Sequence, residues 1–179
     1  MIAFAMAHGF EDERVFLSAP GDLDRDRQAC HEVIAHVNET IAMPEKVLLV
    51  TVGLRDNAQL AGFRSAVTDN VRWSTYFVQL FEDEWGERDL FRKLFLKALE
   101  CRDDEAMPMR EIVVCLKNAS QERNPDVLAF RRELEEQNAR LIRYGTLEEL
   151  RTQFTEVCSA WAHESIERAR ASRQQQPAG

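Results

Sequence analysis

The chain is poor in the short signatures that announce a chemistry. It has no CxxC pair, no HExxH, no GxSxG elbow, no GxGxxG turn and no GKS/T phosphate loop. Zinc-ribbon and zincin sites, the serine-hydrolase elbow, the dinucleotide fingerprint and the P-loop each need one of those spacings, so these classes drop out. The four cysteines, Cys30, Cys101, Cys115 and Cys158, stand apart and each lies in or beside an apolar segment, which reads as reduced core thiols. His31 and His36 are not spaced i,i+4, so no metal site is expected and no cofactor is assigned. Positive charge is also scarce. With 23 Lys and Arg against 31 Asp and Glu the net charge is −8, and a chain so short of cations gains little from phosphate-backbone counterion release. Nucleic acid is not an expected partner. No uncharged apolar stretch approaches the roughly 18 residues of a membrane span. The apolar opening 1–7 lacks a basic flank and runs at once into His8, Glu11, Asp12 and Glu13, unlike a signal peptide. A cytoplasmic protein with no membrane partner is the expectation, in which the glycosylation triplets at Asn38 and Asn118 are coincidental.

What is present is an ordinary globular composition, 45% hydrophobic and 30% charged in 179 residues, sized for one domain. Residues 15–18 (VFLS) form a short apolar run stopped by Pro20-Gly21, a buried first strand. From Asp24, the apolar positions Cys30, Val33, Ile34, Val37 and Ile41 recur at helical spacing until Pro44, behind the clustered acids Asp22, Asp24 and Asp26. Residues 46–54 (KVLLVTVGL) read as a strand covered on both faces, 60–73 as a helix and 75–81 (TYFVQLF) as the third strand. A helix through Phe91, Leu94, Phe95, Ala98 and Leu99, a strand at 112–116 and a helix opened by Asn124-Pro125 follow. The more polar strand 140–144 precedes a last helix lined by Leu147, Leu150, Phe154, Val157, Trp161 and Ile166. We therefore expect a short extension over 1–13, one domain over 14–167 and a disordered tail over 168–179.

Five β-α units in succession predict parallel strands joined by right-handed crossovers, with helices on both faces. The expected fold is a three-layer α/β, flavodoxin-like sheet of order 2-1-3-4-5. Ligands of such sheets bind at the carboxyl ends of the strands beside the point where the order reverses, here between strands one and three. That principle selects two loops. The first, 18–23 (SAPGDL), has a glycine that allows close backbone approach and a following helix whose N–H groups suit an anion. Asp22 offers a competing reading, since its carboxylate can cap that same helix. The second, 81–89 (FEDEWGERD), gathers five carboxylates, an arginine and an indole. Glu82 and Trp85 together suit a ribose and a stacked base, and Glu82 or Glu84 would serve as a general acid if burial raised its pKa. Equally, acids there favour the next helix dipole and the indole covers the sheet end. Lys117 and Asn118 end strand four and either reach the same cleft or form a solvated turn.

The opening VFLSAPGDL, continued by Asp26-Arg27 and then Ile34 and Asn38, resembles the VFxSxPxDLxxER start of a bacterial TIR-like family of uncharacterised domains. The resemblance implies a flavodoxin-like fold related to TIR and nucleoside deoxyribosyltransferase domains, whose active members cleave N-glycosidic bonds of NAD or nucleosides. It places Ser18, Pro20, Gly21 and Asp22 along the ligand cleft. Catalytic TIR domains carry a glutamate early in the helix after strand three, whereas 91–98 (FRKLFLKA) contains no acid. Glu84 and Glu87, just ahead of that helix, are the candidates for a displaced catalytic acid. Two functions follow from the resemblance: a signalling domain binding a nucleotide-derived ligand or a protein partner without turnover, or an NAD glycohydrolase or nucleoside transferase. A self-associating scaffold using Phe91, Phe95 or Trp161 is a third, although such apolar stripes more often pack a domain's own core.

Overall fold

The computed structural model describes residues 9–53, 64–82, 90–118, 125–137 and 139–174. Five strands, β1 (Glu11–Ser18), β2 (Val47–Val52), β3 (Tyr76–Phe81), β4 (Glu111–Lys117) and β5 (Arg140–Tyr144), alternate with five helices. These are α1 (Asp24–Val37), α2 (Arg64–Arg72), α3 (Leu90–Asp103), α4 (Pro125–Glu136) and α5 (Leu147–Gln174). All strand pairs are parallel and the order is β2-β1-β3-β4-β5, the flavodoxin-like arrangement that the β-α alternation predicts. All six residues of β3 are buried, as expected of a central strand with a helix layer on each side.

Strand alternation divides the interior into two cores. On one face Val15, Leu17, Tyr76, Val78, Val113, Cys115 and Ile142 meet α1 and α5. There Tyr76 stacks on Trp161 with ring centroids 4.2 Å apart, and Trp161 meets Phe154 edge-on. On the other, Phe16, Phe77, Phe81, Ile112, Val114 and Leu116 meet α2, α3 and α4. Phe130 packs there against Phe81 and, edge-on, against Phe95. All four cysteines are buried and none is in a disulfide. Phe91, Phe95 and Trp161 are buried too, so these three side chains belong to the domain's own cores.

The ends of two elements differ from the sequence reading, and one set of ion pairs explains both. Strand β1 starts at Glu11, inside the expected extension, because 11–14 pair in register with β2 from Glu11↔Val47 to Arg14↔Val50. Helix α5 continues through Gln174, well into the stretch expected to be disordered from 168. Arg168 lies 2.6 Å from Glu13 and donates to Ser165 Oγ, Arg170 pairs with Glu45 at 2.9 Å, and Arg173 approaches Glu11 at 3.8 Å. Charge opposite charge thus replaces the apolar pattern that marks the other elements.

Helix α1 also ends early. After Val37 the chain widens into a π-type turn over Asn38–Ala42, then a 3₁₀ turn over Met43–Glu45 holding Pro44, and Lys46 is left-handed at φ 62°. Asn38 accounts for the position of this segment. Its Nδ2 donates to the Leu49 carbonyl (2.9 Å) and its Oδ1 accepts the Leu49 N–H (2.8 Å). One amide side chain thereby satisfies both outward backbone groups of a residue on an edge strand.

Candidate functional site at the carboxyl edge of the sheet

The segment joining β1 to α1 is tight. Ser18 and Pro20 are buried, Gly21–Leu23 forms a single 3₁₀ turn closed by Leu23 N–H to the Pro20 carbonyl (3.1 Å), and Asp22 is exposed. No side chain caps this turn or α1, whose preceding residue is Leu23, so the helix-capping reading of Asp22 is not realised. The amino end of α1 carries Asp24, paired with Arg27 at 2.6 Å, and Asp26.

Asp26 is the hub of the edge. Its side chain is only 3% exposed and points into the sheet, where Oδ1 accepts the Tyr144 hydroxyl at 2.8 Å and Oδ2 lies 3.4 Å from Lys117 Nζ. Lys117 also stands 3.6 Å from Glu82, and both of those side chains keep 28% of their surface. Four groups from α1, β4, β5 and the residue after β3 therefore form one chain of charge and hydrogen bonds. Burial, and then the neighbouring Asp26 carboxylate, push the Tyr144 phenol well above its ordinary value, so it remains a donor throughout the physiological range. Burial likewise raises the Cys30 thiol, one turn along α1 from Asp26, and makes it a core residue without nucleophilic character at neutral pH.

A second polar feature lies on the other face of the sheet, toward α2, α3 and α4. Gln79 is fully buried in the otherwise apolar centre of β3, and among the described residues neither its Oε1 nor its Nε2 has a hydrogen-bond partner. An unmet buried polar group costs about 1–3 kcal/mol, so this amide is expensive to keep. An open depression of about 790 Å³ borders the ends of β1 and β2, with Arg27, Gln28 and His31 of α1 on one side and Thr51, Gly53 and Asn70 among its other lining residues. Gly53 is required there, because a Cβ would collide with the Leu17 carbonyl oxygen of β1. Among the described residues no group of three His, Cys, Asp or Glu side chains is placed to hold a metal, and no helix is long and apolar enough to cross a membrane.

Of the residues singled out in the sequence, Glu82 and Lys117 come together, while Ser18, Pro20, Gly21 and Asp22 lie on the segment entering α1 just ahead of Asp26. Glu84, Trp85 and Glu87 lie outside the described residues. Sequence reasoning did not pick out Asp26, Tyr144 or Gln79 as site residues. Asp26 carried a signal, since it stands within the family-like opening. Gln79 carried another, as the single amide in YFVQLF.

No family model matches the chain and no curated protein matches it. Among solved structures it is similar to a variant of the PilB minor pilin from Streptococcus sanguinis, at 10% identity and TM-score 0.50 over 90% of this chain. The chain spans 64% of that pilin's length, and at such identity the likeness is one of fold alone. A short-chain flavodoxin associated with a bacterial microcompartment also matches, at 12% identity and TM-score 0.44, covering 86% of this chain and 99% of the flavodoxin. So does a TIR domain heterodimer of RPS4 and RRS1, at 13% identity and TM-score 0.44, covering 82% and 94% of the two chains.

Proposed function

We propose that the chain is a TIR-like signalling domain that binds a nucleotide-derived ligand at the carboxyl ends of β1 and β3 without turning it over. The observation that carries this reading is the state of the described carboxylates at that edge. Asp26 and Glu82 both face Lys117, and Asp26 also accepts the Tyr144 hydroxyl, so each is engaged in holding the edge together. A general acid or nucleophile needs an available carboxyl group beside the scissile bond. Helix α3 supplies none early on, reading LFRKLFLK from Leu90.

Binding has better support. Lys117 is a partly exposed cation at the end of β4, and α1 presents N–H groups that no side chain caps. Both suit a phosphate, which would compete with Glu82 for the ammonium group. The family-like opening over Ser18, Pro20, Gly21 and Asp22 supports the same edge.

Incubation of concentrated protein with NAD, followed by calorimetry and by chromatography of the products, tests the proposal. The expected result is saturable binding with NAD recovered intact. Release of nicotinamide that disappears in Glu84→Ala or Glu87→Ala would instead make the chain a glycohydrolase with a displaced acid. Co-purification of a protein partner, without any NAD binding, would move the site's role to protein recognition.

A further inference from the structure

Gln79 poses a specific question, because its amide is placed where a polar group is least favourable. By alternation along β3 it shares a face with Phe77 and Phe81, the face covered by α2, α3 and α4. Its register partner on β4 is the apolar Val114. Its partner on β1 is Ser18, which lies two residues after Phe16 and hence on the same face. Neighbouring strands are about 4.8 Å apart, so Ser18 and Gln79 form a side-by-side polar pair across the β1–β3 junction. That junction is where the strand order reverses.

A leucine or methionine would fill the position without an unmet donor and acceptor. The amide therefore stands out as a group whose partner is supplied from outside the fold. We propose that Gln79, with Ser18 beside it, is the specificity-determining element of the ligand site. Its adjacent N–H donor and carbonyl acceptor match a group that offers the complementary pair in one plane, namely a carboxamide or the amino edge of a purine. This rests on the reading that a nucleotide-derived ligand binds at the edge. Gln79 and Ser18 face α2, α3 and α4, whereas Lys117, Glu82 and α1 lie on the other face of the sheet. Such a ligand therefore crosses over the carboxyl ends of β1 and β3, with its anionic part at Lys117 and its planar polar part toward Gln79.

Calorimetric titration of the wild type, Gln79→Met, Gln79→Leu and Ser18→Ala with NAD, nicotinamide and adenosine tests the proposal, together with the melting temperature of each ligand-free protein. Wild type should bind NAD and one of its two parts. Gln79→Met should bind both at least tenfold more weakly, a loss of about 1.4 kcal/mol, while melting at or above the wild-type temperature. Ser18→Ala should weaken the same part and gives the answer from the β1 side if neither Gln79 variant folds. Binding within twofold of wild type in the Gln79 variants would overturn the assignment and leave the nucleotide reading standing. A fall in melting temperature in both Gln79 variants would show that the amide has a structural partner, such as an enclosed water, and would also overturn it. Failure of the wild type to bind any of the three probes would defeat the nucleotide reading and this inference together.

Discussion

Removal of the Asp26 carboxylate should be the most damaging single change at the carboxyl edge. Its bond with Tyr144 is buried on both sides, with Asp26 2% and Tyr144 1% exposed. A hydrogen bond to a charged acceptor contributes about 1.5–3 kcal/mol, and a stranded phenol hydroxyl adds a desolvation cost of similar order. The Lys117 contact adds less, because 28% of that side chain is solvated and the separation is 3.4 Å; about 1 kcal/mol is its upper bound. Asp26→Ala should therefore cost about 3 kcal/mol, of a total of roughly 5–15 kcal/mol for a domain, and lower Tm by about 6–12 °C. Tyr144→Phe removes only the hydroxyl and should cost about 1–2 kcal/mol. Urea denaturation followed by tryptophan fluorescence, on both single variants and the double variant, gives the coupling directly. We expect about 1–2 kcal/mol of interaction between the two sites. Additivity to within about 0.3 kcal/mol would refute the assignment of Asp26 as the hub.

Three further outcomes follow from the packing and the titrating groups. Gly53→Ala forces a methyl group against the Leu17 carbonyl and should destabilise the domain by about 1–3 kcal/mol, measurable by the same denaturation. Truncation after residue 167 removes the Arg168 contacts to Glu13, Ser165 and Tyr76 and should lower Tm, whereas an unchanged Tm would restore the disordered-tail expectation. Stability should fall as pH rises above about 9. Burial raises the thiols of Cys30, Cys115 and Cys158 above 9.0 and the Tyr144 phenol above 10.0, so these groups ionise first in the unfolded chain. Each then removes up to about 1.4 kcal/mol per pH unit until its folded pKa is reached. A flat Tm between pH 9 and 10.5 would contradict their burial as thiols and phenol.

The layers of this fold were legible because they rest on runs that burial enforces. VFLS, TYFVQLF and IVVCL read as strands covered on both sides and are buried. KVLLVTVGL, read the same way, forms instead the edge strand β2, of which only Val47 and Leu49 are buried. The helices between the strands keep a single apolar face. What escaped were the places where polar chemistry does the same job. Glu11 to Arg14 look like a solvated lead-in, yet they pair with β2 while α5 supplies the opposing arginines, and neither end is visible without the other. Asn38 looks like any helix residue until its amide meets the edge of β2. At the site, the switch-point rule selected the loops after strands one and three, and Lys117 was named separately as the end of strand four; the structure brings it to 3.6 Å from Glu82. Asp26 reaches Tyr144 across 118 positions of sequence, a pairing that no local pattern encodes. Asp22 read as a cap because its residue type suits one, but the turn ahead of α1 carries it outward instead.

The claim at the centre of this account is that a ligand is received at the carboxyl ends of β1 and β3. Backbone amide shift mapping of the 20.7 kDa chain, titrated with NAD, tests it most directly. The account predicts perturbations grouped over residues 18–26 and 79–82 and at Lys117, with NAD unchanged at the end of the titration. An unperturbed spectrum, or shifts grouped at the opposite end of the sheet around Glu13, Tyr76 and Arg168, would contradict it.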